Sequence, residues 1–399
     1  MSSGLPTISL SSISYRTRYH EVAGSAYLLT YDRTSNEWKH VAEFVPGGAS
    51  ANGSFGPDTS SSYDQFGFAV AISEDWVAIA SPNHIASKGQ VSLYNLRRLS
   101  QGGQIEPDVE LTADDGIYRA RFGTAVALSD NGVLVVGASN DRSNLGSAYV
   151  YKYASSTWRQ VAKLQPEDVS SDSQGNFGRS VALVETADGV TVAVGAPFDS
   201  TRGRRRNGSV YIYGELPSGE FTQIEKLEPF ELLAGDQFGY SVDLGVSTNQ
   251  ATNAIQTTCV VGTKLDDDKG QESGSAYVFR SGENNQFSSS GKLTSPDWSP
   301  GAEFGISVAL SGNLVLVGSK KRDSVGGAHL FEHTGASWQH LGTVAPPDGK
   351  SGDEFGSAVA LTTWTANGVS DVGVALIGSS LSDGAGGEAG STYSYSVCR

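Results

Sequence analysis

The sequence predicts an all-β fold made of repeated four-stranded sheets, and three observations carry that expectation. Phe-Gly opens an alternating apolar run six times, at Phe66-Gly67, Phe122-Gly123, Phe177-Gly178, Phe238-Gly239, Phe304-Gly305 and Phe355-Gly356. The period of roughly 50 to 65 residues holds four strand-like apolar segments, which is the signature of a β-propeller blade. Glycine supplies 49 of 399 residues and charged residues only 18%, a balance that suits many short strands joined by tight turns.

The copy opened by Phe122 serves as the template. Its first strand places Gly123, Ala125 and Ala127 on one face, and Phe122, Thr124, Val126 and Leu128 on the other. The small stripe returns as Gly67, Ala69, Ala71, as Gly178, Ser180, Ala182, as Gly305, Ser307, Ala309 and as Gly356, Ala358, Ala360. Where sheets converge on a central axis, such a stripe lets one sheet approach the bulky face of the next. The second strand, VLVVGA at Val133 to Ala138, is apolar without alternation, as expected for a strand buried on both faces. The third reads GSAYVYKY, with β-branched and aromatic residues favoured in strands.

The fourth strand starts on an aromatic and closes on an apolar residue six positions later: Trp38 to Phe44, Trp158 to Leu164, Phe221 to Leu227, Phe287 to Leu293 and Trp338 to Val344. That spacing keeps both ends on one face of the strand. Ahead of the first of these pairs, GSAYLLTY at Gly24 supplies a third strand and TISLSSISY a candidate second. The expectation is therefore a single domain over residues 1–399, a propeller of seven blades of four antiparallel strands, with the N-terminal segment closing the ring with the last blade. Six blades is the alternative.

The net charge of −15 argues against nucleic acid and anionic membrane surfaces as partners, because both attract positive protein. No run of 18 apolar residues is present to span a bilayer, and the opening MSSGLPTISLSS has no basic or apolar leader pattern. Cys259 lies in the apolar run TTCVVGT and reads as a small buried residue, and Cys398 lies near the C-terminus.

These residues resemble the FG-GAP repeats of integrin α-chain N-terminal propellers and their bacterial and protist relatives. The resemblance rests on the Phe-Gly strands, on VGAS at Val136 to Ser139, on VGAP at Val194 to Pro197 and on the GSAY strands, and it covers about residues 24–397. It implies adhesion or surface display, and hence an extracellular or cell-surface setting. Relatives that bind calcium do so through alternating acids in the loop between the first and second strands. Here those loops read SEDW, SDNGV, VETADGV, SGN and TTWTANGVSD, with a longer one around Gly245 to Thr258, and none has that spacing. No cofactor and no metal site of that kind is expected.

The loops joining second to third strands hold the candidate ligand-binding residues. They are Arg202, Arg204, Arg205 and Arg206 in the third full copy, Lys320, Lys321 and Arg322 in the fifth, and Asp266, Asp267 and Asp268 between them. On an acidic chain, the basic loops could receive a carboxylate, sulfate or acidic glycan, with arginine offering forked donors. The three aspartates are the best remaining cation candidate, set against a plain solvated acidic turn. Asp64, Asp236 and Asp353, each two residues before a Phe-Gly, are expected to bond backbone N–H groups in the turn. Asp243 takes an alanine position of the small stripe and is expected to be solvated there by channel water, with a specific partner as the alternative.

Enzyme motifs do not survive their context. His329, Glu332 and His333 spell H-x-x-E-H, which needs a helix to bring two imidazoles onto zinc, yet GGAHLFEH aligns with the third strand. Gly349-Lys350-Ser351 lacks the leading glycine of a phosphate loop. Asn52 and Asn207 begin N-x-S triplets, which a serine-rich chain yields by chance. The sequence thus points to a non-catalytic recognition or adhesion module that binds a protein or glycan through one set of loops. A self-assembling structural subunit is the runner-up.

Overall fold

The computed structural model describes residues 7–10, 24–32, 35, 37–46, 64–99, 105–168, 174–248, 255–282, 285–297, 299–366, 369–382 and 390–397. The chain forms two compact units, Met1–Leu164 and Gln165–Arg399. In the first, a sheet of Thr7–Leu10, Ala26–Asp32 and Glu37–Phe44 precedes two four-stranded sheets. The Phe66 blade contains Val70–Ile72, Trp76–Ser81, Gln90–Asn95 and Val109–Leu111, and the Phe122 blade contains Phe122–Leu128, Val133–Ala138, Ser147–Ala154 and Thr157–Leu164.

The second unit has four sheets. The Phe177 blade is Ser180–Thr186, Gly189–Ala196, Ser209–Glu215 and Phe221–Leu227, and the Phe238 blade is Phe238–Thr248, Ile255–Thr263, Ser275–Ser281 and Phe287–Leu293. The Phe304 blade is Phe304–Ser311, Leu314–Ser319, Gly327–His333 and Trp338–Val344, and the Phe355 blade is Phe355–Ala366, Val369–Ser379 and Ser391–Val397. Strands pair antiparallel with their sequence neighbours throughout.

The all-β expectation holds, but seven blades of four strands is wrong. Six blades open on Phe-Gly, and among the described residues five of them have four strands and the Phe355 blade three. The N-terminal sheet has three strands and none of the Phe-Gly type. The reason is local: the first strand needs the Phe-Gly kink and its small stripe, and neither occurs ahead of Gly24. The long loop expected at Gly245 to Thr258 is mostly strand, since Phe238–Thr248 and Ile255–Thr263 pair along their length.

Within each unit the Phe-Gly pair is the joint between successive blades. The Phe238 N–H donates to the Asn207 carbonyl at 2.9 Å, and Phe304 and Phe355 do the same to Ser273 and Val325 at 3.0 and 2.9 Å. The glycine that follows, Gly239, has φ +88°, and its carbonyl lies where a Cβ on Gly195 would be, 2.1 Å away. Ser180 Oγ donates to that same carbonyl at 2.9 Å, as Ser241 does to Gly305 at 2.9 Å and Ser307 to Gly356 at 2.8 Å. The small stripe therefore faces the next blade, as expected, and its serines replace a hydrogen bond that the kinked strand would otherwise lack.

From Phe122 onward, each joint phenylalanine is sealed by aromatic rings of its own third strand. Phe238 is fully buried, with Tyr277 and Phe279 edge-on at 5.5 and 6.0 Å between ring centroids. Phe177 meets Tyr211 and Tyr213, and Phe122 meets Tyr149 and Tyr151, in the same way. Such edge-to-face pairs add about 0.5–1.5 kcal/mol to the area they bury.

One expectation about the outer strand fails. Tyr151 pairs with Gln160 but Val150 with Ala162, so Val161 is an extra residue, and the same bulge recurs between Ile212 and Tyr213, Val278 and Phe279, Leu330 and Phe331, and Leu28 and Leu29. Trp158 lies opposite Tyr153 and Leu164 opposite Ala148, positions of opposite parity on an unbroken strand. The aromatic and the closing apolar residue therefore point to opposite faces, because a bulge shifts the alternation by one.

Asp243 also departs from expectation. Its carboxylate is not left to water: Oδ1 accepts from the Leu244 N–H at 2.9 Å and Oδ2 from the Leu310 N–H at 2.7 Å, which ties the Phe238 blade to the Phe304 blade. The residue as a whole is partly exposed, but its carboxyl group lies inside this clamp. Burial pushes its pKa up to about 6, against the pull of the two amides.

A group whose folded pKa is raised favours folding in its neutral form. Its contribution is fully present below about pH 3.8 and is lost as the pH rises through about 6. Asp236, also raised to about 6 by burial, acts in the same direction. Wild type minus Asp243→Asn isolates the clamp. The difference in unfolding free energy should move against wild type between pH 4 and 7, by no more than about 3 kcal/mol. Urea titrations at a series of pH values read it, and a pH-independent difference would refute the assignment.

Candidate binding face

The candidate residues lie in loops between second and third strands, and those loops are anchored by a repeated polar lock. In the Phe177 blade, Asp199 Oδ2 accepts from Ser209 Oγ at 2.8 Å and Tyr211 OH at 2.9 Å, and Lys226 Nζ lies 3.0 Å away. Lys226 and Tyr211 also reach Asp168, at 2.5 and 3.1 Å. The Phe122 blade repeats this with Asp141, Ser147, Tyr149, Lys163 and Asp115, and the Phe238 blade with Asp266, Ser275, Tyr277, Lys292 and Asp268.

The electrostatics of the lock follow from its geometry. Burial alone would raise the Asp199 pKa, but the Lys226 charge and the three donors outweigh it and hold the carboxyl below its ordinary range. Burial likewise opposes the Lys226 charge, and its two aspartates overcome that and raise its pKa. The Phe304 blade rewrites the lock: Arg322 stands in the aspartate position and pairs with Asp297, while His329 lies between Ser319 Oγ and Thr343 Oγ1, both at 3.0 Å. Burial lowers the His329 pKa to about 4, so the ring is neutral near pH 7. His329, Glu332 and His333 lie on the strand Gly327–His333, as the repeat alignment requires.

The predicted acidic cluster is divided by this lock. Asp266 is buried inside it, Asp268 pairs with Lys292, and Asp267 Oδ1 accepts from the Glu272 N–H at 2.7 Å. Asp266 and Asp268 thus share the Lys292 ammonium, while Asp267 serves a backbone amide. The first-to-second turns do not fit the family's calcium loop either. The Ser129 N–H closes on the Val133 carbonyl at 2.9 Å, and the Asp188 N–H on Thr186 Oγ1 at 3.3 Å, with one acid in each turn. Among the described residues, no group of three His, Cys, Asp or Glu side chains is placed to hold a metal ion.

The two basic loops differ. Lys320 pairs with Glu354 at 3.2 Å, Lys321 with Glu303, and Arg322 with Asp297, so that loop is largely neutralised. In the other, only Arg202 has a described acid partner, Glu228 at 2.9 Å. Arg202 and Arg204 both stack on Phe230, at 5.7 and 5.4 Å from its centroid, and Arg204 donates to the Phe230 carbonyl at 2.6 Å. Arg206 stacks on Phe198 at 5.4 Å, and the Arg205 carbonyl accepts from Gly235 N–H at 3.0 Å. Phe230 is 75% exposed, a large apolar ring held open by two guanidinium planes. Beside it, Asp168, Asp199, Ser200, Thr201, Arg202, Lys226 and Glu228 line a pocket of about 260 Å³.

A profile of the FG-GAP repeat matches residues 107–151, 158–213, 221–279 and 287–331, just over half of the chain. The chain belongs to the FG-GAP repeat family. No curated protein matches it in sequence. Membership fits the Asp-Ser-Tyr-Lys locks and the Phe-Gly pairs at Phe122, Phe177, Phe238 and Phe304, which lie within the matched segments.

Three other expectations resolve locally. Asp236 and Asp353 accept backbone N–H groups of Leu233 and Lys350 at 2.6 and 2.8 Å, as expected, whereas Asp64 takes the His84 ring at 2.6 Å. Asn207 is buried and holds Thr201 through both ends of its amide, which leaves no accessible nitrogen for a glycan. Asn52 and Cys398 lie outside the described residues, and Cys259 is fully buried. Among the described residues, no helix is long and apolar enough to cross a membrane.

Sequence reasoning missed Phe230, and it missed Arg179, Tyr240 and Lys264. The signal for Tyr240 and Arg179 was present: each follows a Phe-Gly, in a slot that holds Phe68, Thr124, Ile306 and Ser357 elsewhere.

Proposed function

We propose that this FG-GAP chain is a non-catalytic recognition module that binds a protein or glycan through the second-to-third and fourth-to-first strand loops. The observation that carries the reading is the Arg202–Arg206 loop. Arg204, Arg205 and Arg206 have no acid partner among the described residues, and Arg204, together with Arg202, stacks on the exposed Phe230 ring of an otherwise acidic chain. Arginine and aromatic side chains together are the residue types that dominate binding energy at protein interfaces. The integrin-like resemblance supports adhesion at the cell surface, with neither a cofactor nor nucleic acid involved.

The test is an arrayed glycan and protein binding screen, repeated with Arg204, Arg205 and Arg206 changed to Ala. Retained hits should weaken at least tenfold, since each lost charged hydrogen bond costs about 1.5–3 kcal/mol. Unchanged binding would remove this loop from the reading. A sizing series over concentration separates recognition from self-assembly: a monomer at all concentrations supports recognition, and a reversible oligomer supports assembly.

A further inference from the structure

A second cluster in the Gln165–Arg399 unit has the opposite character to the buried locks. Tyr240 follows the Phe238-Gly239 joint, and Arg179 occupies the matching slot after Phe177-Gly178. Arg179 donates from NH2 to the Tyr240 oxygen at 2.8 Å, and its guanidinium carbon lies 4.5 Å from the ring centroid. Lys264, from the second-to-third loop of the Phe238 blade, places Nζ 4.0 Å from the same centroid. All three residues are half-buried.

Two cations thus share one aromatic ring, and among the described residues neither has an acid partner. Each cation–π contact returns about 0.5–2 kcal/mol, but the two charges also repel across a short distance. The lock lysines differ: Lys163, Lys226 and Lys292 each have two acids. Lys320, which adds to the positive field at Tyr240, is itself paired with Glu354 and Glu303. The Tyr240 phenol responds to this surplus. Burial would raise its pKa, yet Arg179, Lys264 and Lys320 lower it below its ordinary 10.0.

We propose that Arg179, Lys264 and the Tyr240 hydroxyl form a receptor for a single carboxylate, presented as an acidic side chain of a partner polypeptide. The guanidinium and ammonium supply charge-assisted donors, and the phenol oxygen, which already accepts from Arg179, keeps its own proton to donate. Lys320, the third cation acting on Tyr240, is already held by Glu354 and Glu303, so two cations remain for the ligand. The proposal rests on the recognition reading of these loops, but it names residues distinct from Arg202–Arg206.

Titration with an acetylated triglutamate peptide at low ionic strength, followed by calorimetry and by the tyrosinate absorbance edge, tests it. Wild type should bind, and binding should shift the most acidic tyrosine titration upward as the cations are shared. K264Q and R179Q should each weaken binding about tenfold or more, and Y240F by less, while R159Q, at an exposed arginine of the Phe122 blade, stays within about twofold of wild type. Thermal melts confirm that the variants are folded, and K264M serves if K264Q is not. No binding of the peptide, or equal binding by K264Q and R179Q, overturns the proposal. Loss only when Arg204, Arg205 and Arg206 are changed to Ala moves the peptide to the other loop and overturns it as well. Parallel titrations with inorganic sulfate and a sulfated disaccharide complete the test, and preference for either over the peptide refutes the carboxylate assignment.

Discussion

Gly262→Ala should unfold the protein or leave it several kcal/mol less stable. The new methyl carbon would lie 2.0 Å from the Gly305 carbonyl oxygen and 2.3 Å from Ser241 Oγ. The first neighbour is backbone and cannot rotate away. Gly305 is itself wedged, with its own missing Cβ position 2.2 Å from the Ser275 carbonyl. Relief therefore requires the Phe238 and Phe304 blades to separate, which exposes a joint that buries Phe304 and breaks its amide bond to Ser273.

Ordinary overpacking costs about 1–3 kcal/mol, and a clash against fixed backbone belongs to the rarer class beyond about 4. Gly342→Ala is the control, because nothing lies within 4 Å of its Cβ position and it lies in a strand of the same unit. That change should be within about 0.5 kcal/mol of wild type. Chemical denaturation of both variants decides the matter. A Gly262→Ala protein as stable as the Gly342→Ala control would show that the blades are not joined as described.

This joint was the most legible part of the sequence. A two-residue period is a local property, so Gly178, Ser180 and Ala182 declare a small face without knowledge of what packs there. The fully apolar second strand was equally plain, since a strand covered on both sides has no solvent face to mark. The outer strand was not. Its bulge depends on how Val150 and Tyr151 register against a partner, and register is a property of two strands rather than one. A trace of it existed: the extra residues Val41, Val161 and Leu341 are apolar yet 49%, 45% and 48% exposed, out of phase with the spacing from Trp to Leu.

The candidate face was half legible for a related reason. Charge runs such as Arg204-Arg205-Arg206 stand out, but whether a charge is spent depends on residues distant in sequence. Lys320 and Lys321 looked as available as the arginines until Glu303 and Glu354 were seen to hold them. Asp266 looked like a ligand acid and is instead the buried centre of a lock closed by Lys292, 26 positions later. The lock could have been read by aligning the copies, because Asp141, Asp199 and Asp266 each stand five residues after the valine of Val-Gly, and Lys163, Lys226 and Lys292 each precede a leucine. The Tyr240 cluster had no such repeat, since it exists once and draws its residues from two blades.

Lys226→Met should be the second severe variant, and it separates the lock from an ordinary surface ion pair. An exposed pair is worth about 0–1 kcal/mol. Here the Lys226 and Asp199 side chains are only 17% and 10% exposed, so removing the ammonium leaves a buried carboxylate with neutral donors alone. Losing one partner of such a pair costs about 3–5 kcal/mol.

The pH dependence gives the sign. In wild type the Asp199 pKa is lowered and the Lys226 pKa raised. Their joint contribution is therefore present between about pH 3.8 and 10.5, and is lost as the pH falls through the depressed aspartate value or rises through the raised lysine value. In Lys226→Met, burial still pushes Asp199 upward and only the Ser209 and Tyr211 hydroxyls oppose it, so the penalty should be greatest near pH 7 and shrink as the pH falls and the carboxyl takes up a proton. Adding Asp199→Asn to Lys226→Met removes the stranded charge and should recover part of the loss, giving a coupling of about 1–3 kcal/mol in a double-mutant cycle. A single variant less than about 1 kcal/mol below wild type, or a cycle with no coupling, would reduce the lock to a surface contact. The same outcome would leave the Arg202–Arg206 loop without its anchor, because Asp199, Ser200 and Thr201 lead directly into it.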